Sequence, residues 1–129
     1  MTVERIMDPD GFLYELGHLH DVCVGTVEFD TANDTLRLTL DDINAAVDSE
    51  TSKHQNRRPC ALIFRGVGRF LFDVETNEGI RIGHAAIVAD RSRLLLEVDL
   101  NLGGGNTTEG RHSIVVSFES LHISDIEAP

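Results

Sequence analysis

The stretch Asp21-Val22-Cys23-Val24-Gly25-Thr26-Val27-Glu28-Phe29, followed after a short polar break by Leu36-Arg37-Leu38-Thr39-Leu40, decides the fold class. Residues 36–40 alternate apolar and polar side chains with a period of two, the signature of a strand with one buried face. The break, Asp30-Thr31-Ala32-Asn33-Asp34, is rich in residues that hydrogen-bond their own backbone and tolerate left-handed conformations. The two runs therefore read as an antiparallel hairpin. Pairing Phe29 with Leu36, Val27 with Leu38 and Gly25 with Leu40 gathers the large apolar groups on one face, and a one-residue slip would scatter them.

The same pattern recurs along the chain. Residues 60–65, 69–74, 80–89, 94–102 and 112–120 read as further strands, making about seven in all. Placing Leu100 opposite Ile114, Val98 opposite Val116 and Leu96 opposite Phe118 gives a second hairpin with a purely apolar shared face. Beyond Ser120 the apolar parity flips to Leu121 and Ile123, as a bulge or a bend that changes sheets would produce. Helix is confined to short pieces. Asp8-Pro9 starts one turn pair carrying Phe12, Leu13 and Leu16 and ended by Gly17, and residues 41–47 suit a single turn. The expected fold is mainly β: an antiparallel sandwich or partly open barrel with one or two short helical segments. All 129 residues fit one domain. A polar loop at about 48–59 is expected to be exposed and mobile.

With 22 acidic against 11 basic residues, the net charge is −11. A surface of that sign repels phosphate, which argues against nucleic-acid binding. The longest apolar runs, 60–64 and 85–89, fall far short of the ~20 residues of a membrane span, and residues 1–10 lack a signal-peptide layout. The expectation is a cytoplasmic protein away from membranes. Cys23 and Cys60 sit in apolar runs and read as reduced core thiols.

Three groups of side chains are chemical candidates. His18, His20 and Asp21 form the densest group of potential metal ligands, since in an extended segment both imidazoles project to one side. His84, His112 or His122 would have to complete such a site. The competing reading has one histidine bonding backbone at the helix-to-strand junction and the other in water. His84 itself shares parity with Ile80, Ile82, Ala86 and Val88, which places it in the core. Glu97, Asp99 and Glu119 share an outward strand face that suits a partner with a basic surface. Gly103-Gly104-Gly105-Asn106 lacks the lysine and following helix of a nucleotide loop and reads as a hairpin connection; Arg57 and Arg58 beside Lys53 and His54 make a small basic cluster. No catalytic or cofactor motif is present, so the expectation is no cofactor and a leaning away from enzyme.

Leu19-His20-Asp21, a strand ending Val27-Glu28-Phe29-Asp30, and then Leu36, Leu38 and Leu40 resemble the opening of certain small uncharacterised bacterial proteins. Some of these are grouped with immunity proteins of polymorphic toxin systems. The resemblance covers the first third of the chain and carries no catalytic residue. It implies a binding role, and the acidic charge fits the blocking of a basic toxin. The favoured function is a non-catalytic binding or interaction module. The alternatives are a small metal-dependent enzyme using His18, His20 and Asp21, and an inhibitor of a basic protein. Apolar residues on both faces of two strands (Val22 and Val24 against Cys23 and Val27, Leu94 and Leu96 against Leu95) add a homodimer as a way to cover the second face.

Overall fold

The computed structural model describes residues 3–44, 59–74, 79–91, 93–100 and 112–125. The expected loop at 48–58, the helical turn beyond residue 44 and the 103–106 segment lie outside these residues. Among the described residues nine strands are present rather than about seven: β1 (Val3–Ile6), β2 (Cys23–Asp30), β3 (Thr35–Leu40), β4 (Cys60–Arg65), β5 (Arg69–Val74), β6 (Ile80–Asp90), β7 (Arg93–Leu100), β8 (His112–Phe118) and β9 (Ser120–Asp125). They form a single antiparallel sheet in the order β1-β9-β4-β3-β2-β6-β7-β8-β5. The sheet is open, and β1 and β5 are its edges, so it is not a closed barrel.

The joint between β2 and β6 is only two residue pairs long, Cys23 with Arg81 and Val24 with Ile80. At that narrow joint the sheet divides into two arms whose apolar faces meet. One core cluster contains Leu36, Leu38, Leu62, Phe64 and Ile123 from the first arm and Ile87, Leu96, Val98, Val116 and Phe118 from the second. Phe64 and Phe118 touch edge to face across the gap, with ring centroids 5.0 Å apart. Fully burying one such side chain is worth about 1.5–3 kcal/mol, so this shared core dominates the stability. Helix α1 (Pro9–Glu15) begins where expected, with the Asp8 side chain accepting from the Gly11 amide. Its buried Phe12 and Leu13, with Leu16 and Leu19, join the same cluster. Leu13 and Leu19 line, with Leu38, Leu62, Ala85 and Leu96, a cavity whose walls are entirely apolar.

Opposite the narrow joint the chain crosses between arms twice. It passes from β4 to β5 through Gly66-Val67-Gly68, and from β8 to β9 through Glu119. The parity flip after Ser120 is thus a bend that changes arms. The crossings are tied by backbone bonds from Glu119 to the Arg65 carbonyl and from Gly68 to the Ser117 carbonyl, both 2.9 Å. Arg93 reaches over them. Its Nε donates to Ser117 Oγ at 3.0 Å, its Nη1 meets Glu119 Oε1 at 3.3 Å, and its Nη2 donates to the Gly66 carbonyl. An alanine Cβ at Gly66 would lie 2.5 Å from the Glu119 carboxylate, and one at Gly68 would lie 3.0 Å from the Arg93 guanidinium.

The hairpin registers are partly as read. Phe29 pairs with Leu36 and Val27 with Leu38, but Leu40 faces Val24 instead of Gly25. A bulge at Gly25 absorbs the shift, and the Thr26 amide donates to Thr39 Oγ1 at 2.7 Å. Val24 is thereby kept in the core. In the turn between these strands the Asn33 side chain and the Ala32 amide bond Asp30, holding its carboxyl below the usual range. The second hairpin differs by two residues: Leu94 faces Phe118, Leu96 faces Val116 and Val98 faces Ile114. A two-residue shift keeps every side chain on its own face, so the apolar pattern cannot distinguish the two registers. Opposite charge can, because the observed alignment brings Glu119 level with Arg93.

Gly66 is the sensitive point of the crossing, at φ +68°. Gly66→Ala is expected to lose about 1–2 kcal/mol from the left-handed backbone alone, with a further loss as Glu119 is pushed off Arg93. Gly79→Ala, at φ +100° with nothing within 4 Å of its Cβ, supplies the backbone-only reference. Urea denaturation of both variants should show the larger loss at Gly66, and equal losses would remove the steric part of this account.

Candidate functional site

Helix α1 stops at Leu16, and the chain then makes a left-handed turn: φ is +62° at Gly17, +56° at His18 and +58° at Leu19. Asp21 follows at +68°. For residues with a Cβ this conformation costs about 1–2 kcal/mol each, so something must hold it. Leu19 is buried in the core. His18 Nδ1 bonds the Ala85 carbonyl at 3.1 Å and His20 Nδ1 bonds the Gly83 carbonyl at 2.7 Å. The Asp21 amide donates to the Ile82 carbonyl, and the Ile82 amide donates to Val22, both at 2.8 Å. The turn is therefore stitched to Ile82, Gly83 and Ala85 of β6.

A carbonyl partner requires each Nδ1 to carry its proton, which leaves Nε2 as the free lone pair in the neutral rings. His20 Nε2 lies 3.5 Å from Asp21 Oδ2, with both side chains about half exposed. Both histidines thus bond backbone at this junction, where only one was expected to do so. His18 is also not in extended chain. Its ring lies against His84, with centroids 4.4 Å apart and planes 27° from parallel, and Tyr14 meets its edge at 6.1 Å. Near-parallel stacking sets ring faces together rather than directing two nitrogen lone pairs at one point.

His84 is a correction. It is exposed, because a bulge between Ile82 and His84 reverses the facing of β6 and sends Ala85 and Ile87 inward in its place. The sequence signal was Gly83, the residue type that most readily marks a bulge. His122 lies elsewhere, on β9 between Ile63 of β4 and Arg5 of β1. Burial, then the charges of Arg65 and Arg5, push its imidazole below its ordinary value. The side chain of His112 lies outside the described ones. Among the described residues, no three His, Cys, Asp or Glu side chains gather closely enough to hold a metal ion. Neither Cys23 nor Cys60 is in a disulfide, and Cys60 is buried.

Of the acidic trio, Glu97 and Asp99 are exposed on the outward face of β7, and Asp99 faces His84 across the β6–β7 pair. Glu119 does not join them. It stands level with Arg93, four positions from Glu97, or about 13 Å along the strand, and holds the crossing through its ion pair.

The surface that sequence reading passed over is edge strand β5, Arg69-Phe70-Leu71-Phe72-Asp73-Val74. Phe70 stacks on Phe29 of β2, centroids 5.5 Å apart and planes 6° from parallel, and Phe72 adjoins it at 6.2 Å. Leu71 is 41% exposed and Phe72 39%. Apolar residues occupy both faces at the centre of this edge, with no lysine, proline or bulge, and only Arg69 and Asp73 stand as charged guards against strand pairing. That composition is the signal by which it could have been found. By contrast, Val22 is wholly buried within the chain and Leu95 half-buried, so the two-sided strands that suggested a dimer do not themselves demand a partner.

Two outcomes follow from this geometry. Because His18 stacks nearly face to face on His84 and no third ligand gathers beside these rings among the described residues, adding Zn²⁺ in excess is expected to leave the melting temperature unchanged; a rise abolished by His18→Ala or His20→Ala would restore a metal site. For His122, the folded value lies below the unfolded 6.5, so its contribution to stability is full above pH 6.5 and is lost as the pH falls through the folded value. Wild type should accordingly lose ground to His122→Gln in urea melts between pH 7 and 5, and parallel curves would show that its environment is the same in both states.

No protein-family model matches the chain, and no curated protein matches it. Among solved structures, an uncharacterized protein from Neisseria gonorrhoeae is similar in fold, with 11% sequence identity, a TM-score of 0.51, and coverage of 98% of this chain and 100% of that one. No described helix is long and apolar enough to cross a membrane. The likeness is one of backbone arrangement.

Proposed function

We propose that this protein is a non-catalytic interaction module that recognises an extended segment of another chain by adding it as a strand beside β5. The observation that carries the reading is the exposed apolar centre of the edge at Leu71 and Phe72, backed by the stacked rings of Phe29 and Phe70. An edge strand presents unpaired backbone donors and acceptors, so main-chain bonds supply affinity and alternating side chains supply selectivity. The other candidates lend themselves less to chemistry. The histidines fasten a strained turn, and the interior cavity is lined only by hydrocarbon.

A second reading, an immunity-type inhibitor of a basic protein, is supported by the net charge of −11 and by Glu97 and Asp99 side by side on β7. It rests on two of the three carboxylates, with Glu119 occupied by Arg93. It expects capture that weakens steeply with added salt.

Selection of a phage-displayed heptapeptide library on the immobilised protein separates the two. Strand addition expects enriched peptides with alternating apolar residues, bound at least about tenfold more weakly by Leu71→Lys, since an edge lysine opposes pairing. Lysine- and arginine-rich peptides, indifferent to Leu71→Lys and lost in high salt, would overturn it in favour of the acidic face.

A further inference from the structure

We propose that the chain which adds to β5 is a second copy of this protein, in a two-fold dimer formed by antiparallel pairing of β5 with β5. This rests on the reading of β5 as the interaction edge and names its partner.

The case is one of self-complementarity. In an antiparallel pair about a two-fold axis, each residue opposite another is matched by the reciprocal contact. Centring the axis on Leu71 sets Arg69 opposite the second copy's Asp73, Phe70 opposite its Phe72, and Leu71 opposite its own counterpart. Both charges of the strand then face a charge of opposite sign, twice over. Centring on Phe70 instead places Arg69 opposite Leu71 and Asp73 opposite Val67, outside the strand. Centring on Phe72 places Asp73 opposite Leu71 and carries Arg69 past Val74. One alignment therefore matches five of the six residues within the strand, Arg69 to Asp73, with Val74 opposite Gly68, and like-for-like charge never meets in it.

The faces agree with this alignment. Phe70 and Phe72 pair with Val116 and Ile114 of β8, which are buried, so both rings lie on the inward face. Arg69, Leu71 and Asp73 pair with Ser117, Val115 and Ser113 and lie outward. Dimerisation would thus extend the inner apolar face by a Phe70–Phe72 pair on each side of the axis, covering rings that are now partly in water. Across the outward face it would run ion pair, leucine contact, ion pair. Electrostatics at longer range point to the same place. Two copies each carrying −11 repel one another over most of their surfaces, and β5, with one arginine and one aspartate, is locally neutral.

Sedimentation equilibrium of the full chain at near-physiological salt tests the proposal. The wild type is expected to be dimeric at micromolar concentration. Arg69→Asp and Asp73→Arg should each raise the dimer dissociation constant by at least about tenfold, because each sets like charges opposite one another. The double variant Arg69→Asp/Asp73→Arg should return it to within about threefold of wild type. Circular dichroism melts check that each variant is folded, and both positions are at the sheet edge. A wild type that stays monomeric to several hundred micromolar overturns the dimer while leaving strand addition to be judged by its own peptide selection. A dimer indifferent to both single reversals, or one the swap does not restore, overturns the β5 interface.

Discussion

The structure depends on one constraint: a wide antiparallel sheet with a single apolar face must bring that face against itself. The narrow β2–β6 joint allows the arms to turn, and the opposite corner fixes how they meet. There the chain changes arms twice within a few residues, and strands that end in mid-air would leave backbone groups unbonded in a crowded place. Arg93 resolves this with one planar group that reaches the Gly66 carbonyl, Ser117 and Glu119 together. A lysine in its place has a single nitrogen and could not span all three in fixed directions. The glycines at 66 and 68 are what let the guanidinium and its carboxylate lie against the backbone.

Closing the other end of the core imposes a different demand. Helix α1 and the turn after it must deliver Leu13, Leu16 and Leu19 into the space between the arms and then hand the chain to β2 within a few residues. A left-handed turn achieves this in the available length, with His18, Leu19 and Asp21 in a conformation that disfavours side chains. Burial of Leu19 and the two imidazole bonds to β6 offset that strain. Strain of this kind often marks a functional site, yet here it has a sufficient structural cause. The histidines earn their positions as fasteners.

How much of this was legible follows from what each pattern can encode. Alternation located both hairpins and the inward leucines, because period two is a direct record of facing. It was blind to shifts of two, so the β7–β8 register needed the Arg93–Glu119 charge match to be settled. It was misled wherever a glycine bulge reset the phase, which is why His84 was assigned to the core and Gly25 to a pair with Leu40. Strand β1 carried no alternation to read, since three of its four residues are exposed. Among the site residues, His18, His20 and Asp21 lie at the helix-to-strand junction, in a left-handed turn rather than the extended segment that spacing suggested. Their hydrogen-bond partners lie more than sixty residues away on β6, beyond the reach of local spacing.

Strand β5 shows why the recognition surface was harder to see than the core. Facing is written along a strand, but position within the sheet is not; an edge strand and a central one bury the same inward residues. What separates them is whether the second row of backbone groups has a neighbour, and that is decided by topology alone. In this sheet the strands next in sequence to β5 lie elsewhere: β4 is in the other arm, and β6 is three places away. The aromatic residues of β5 are therefore the end of the core among the described strands, with Phe70 half-buried and Phe72 exposed. A row of main-chain donors and acceptors flanked by such side chains is a template for one kind of ligand, another strand. Its own sequence, apolar at the centre with opposite charges two residues to either side, is complementary to itself.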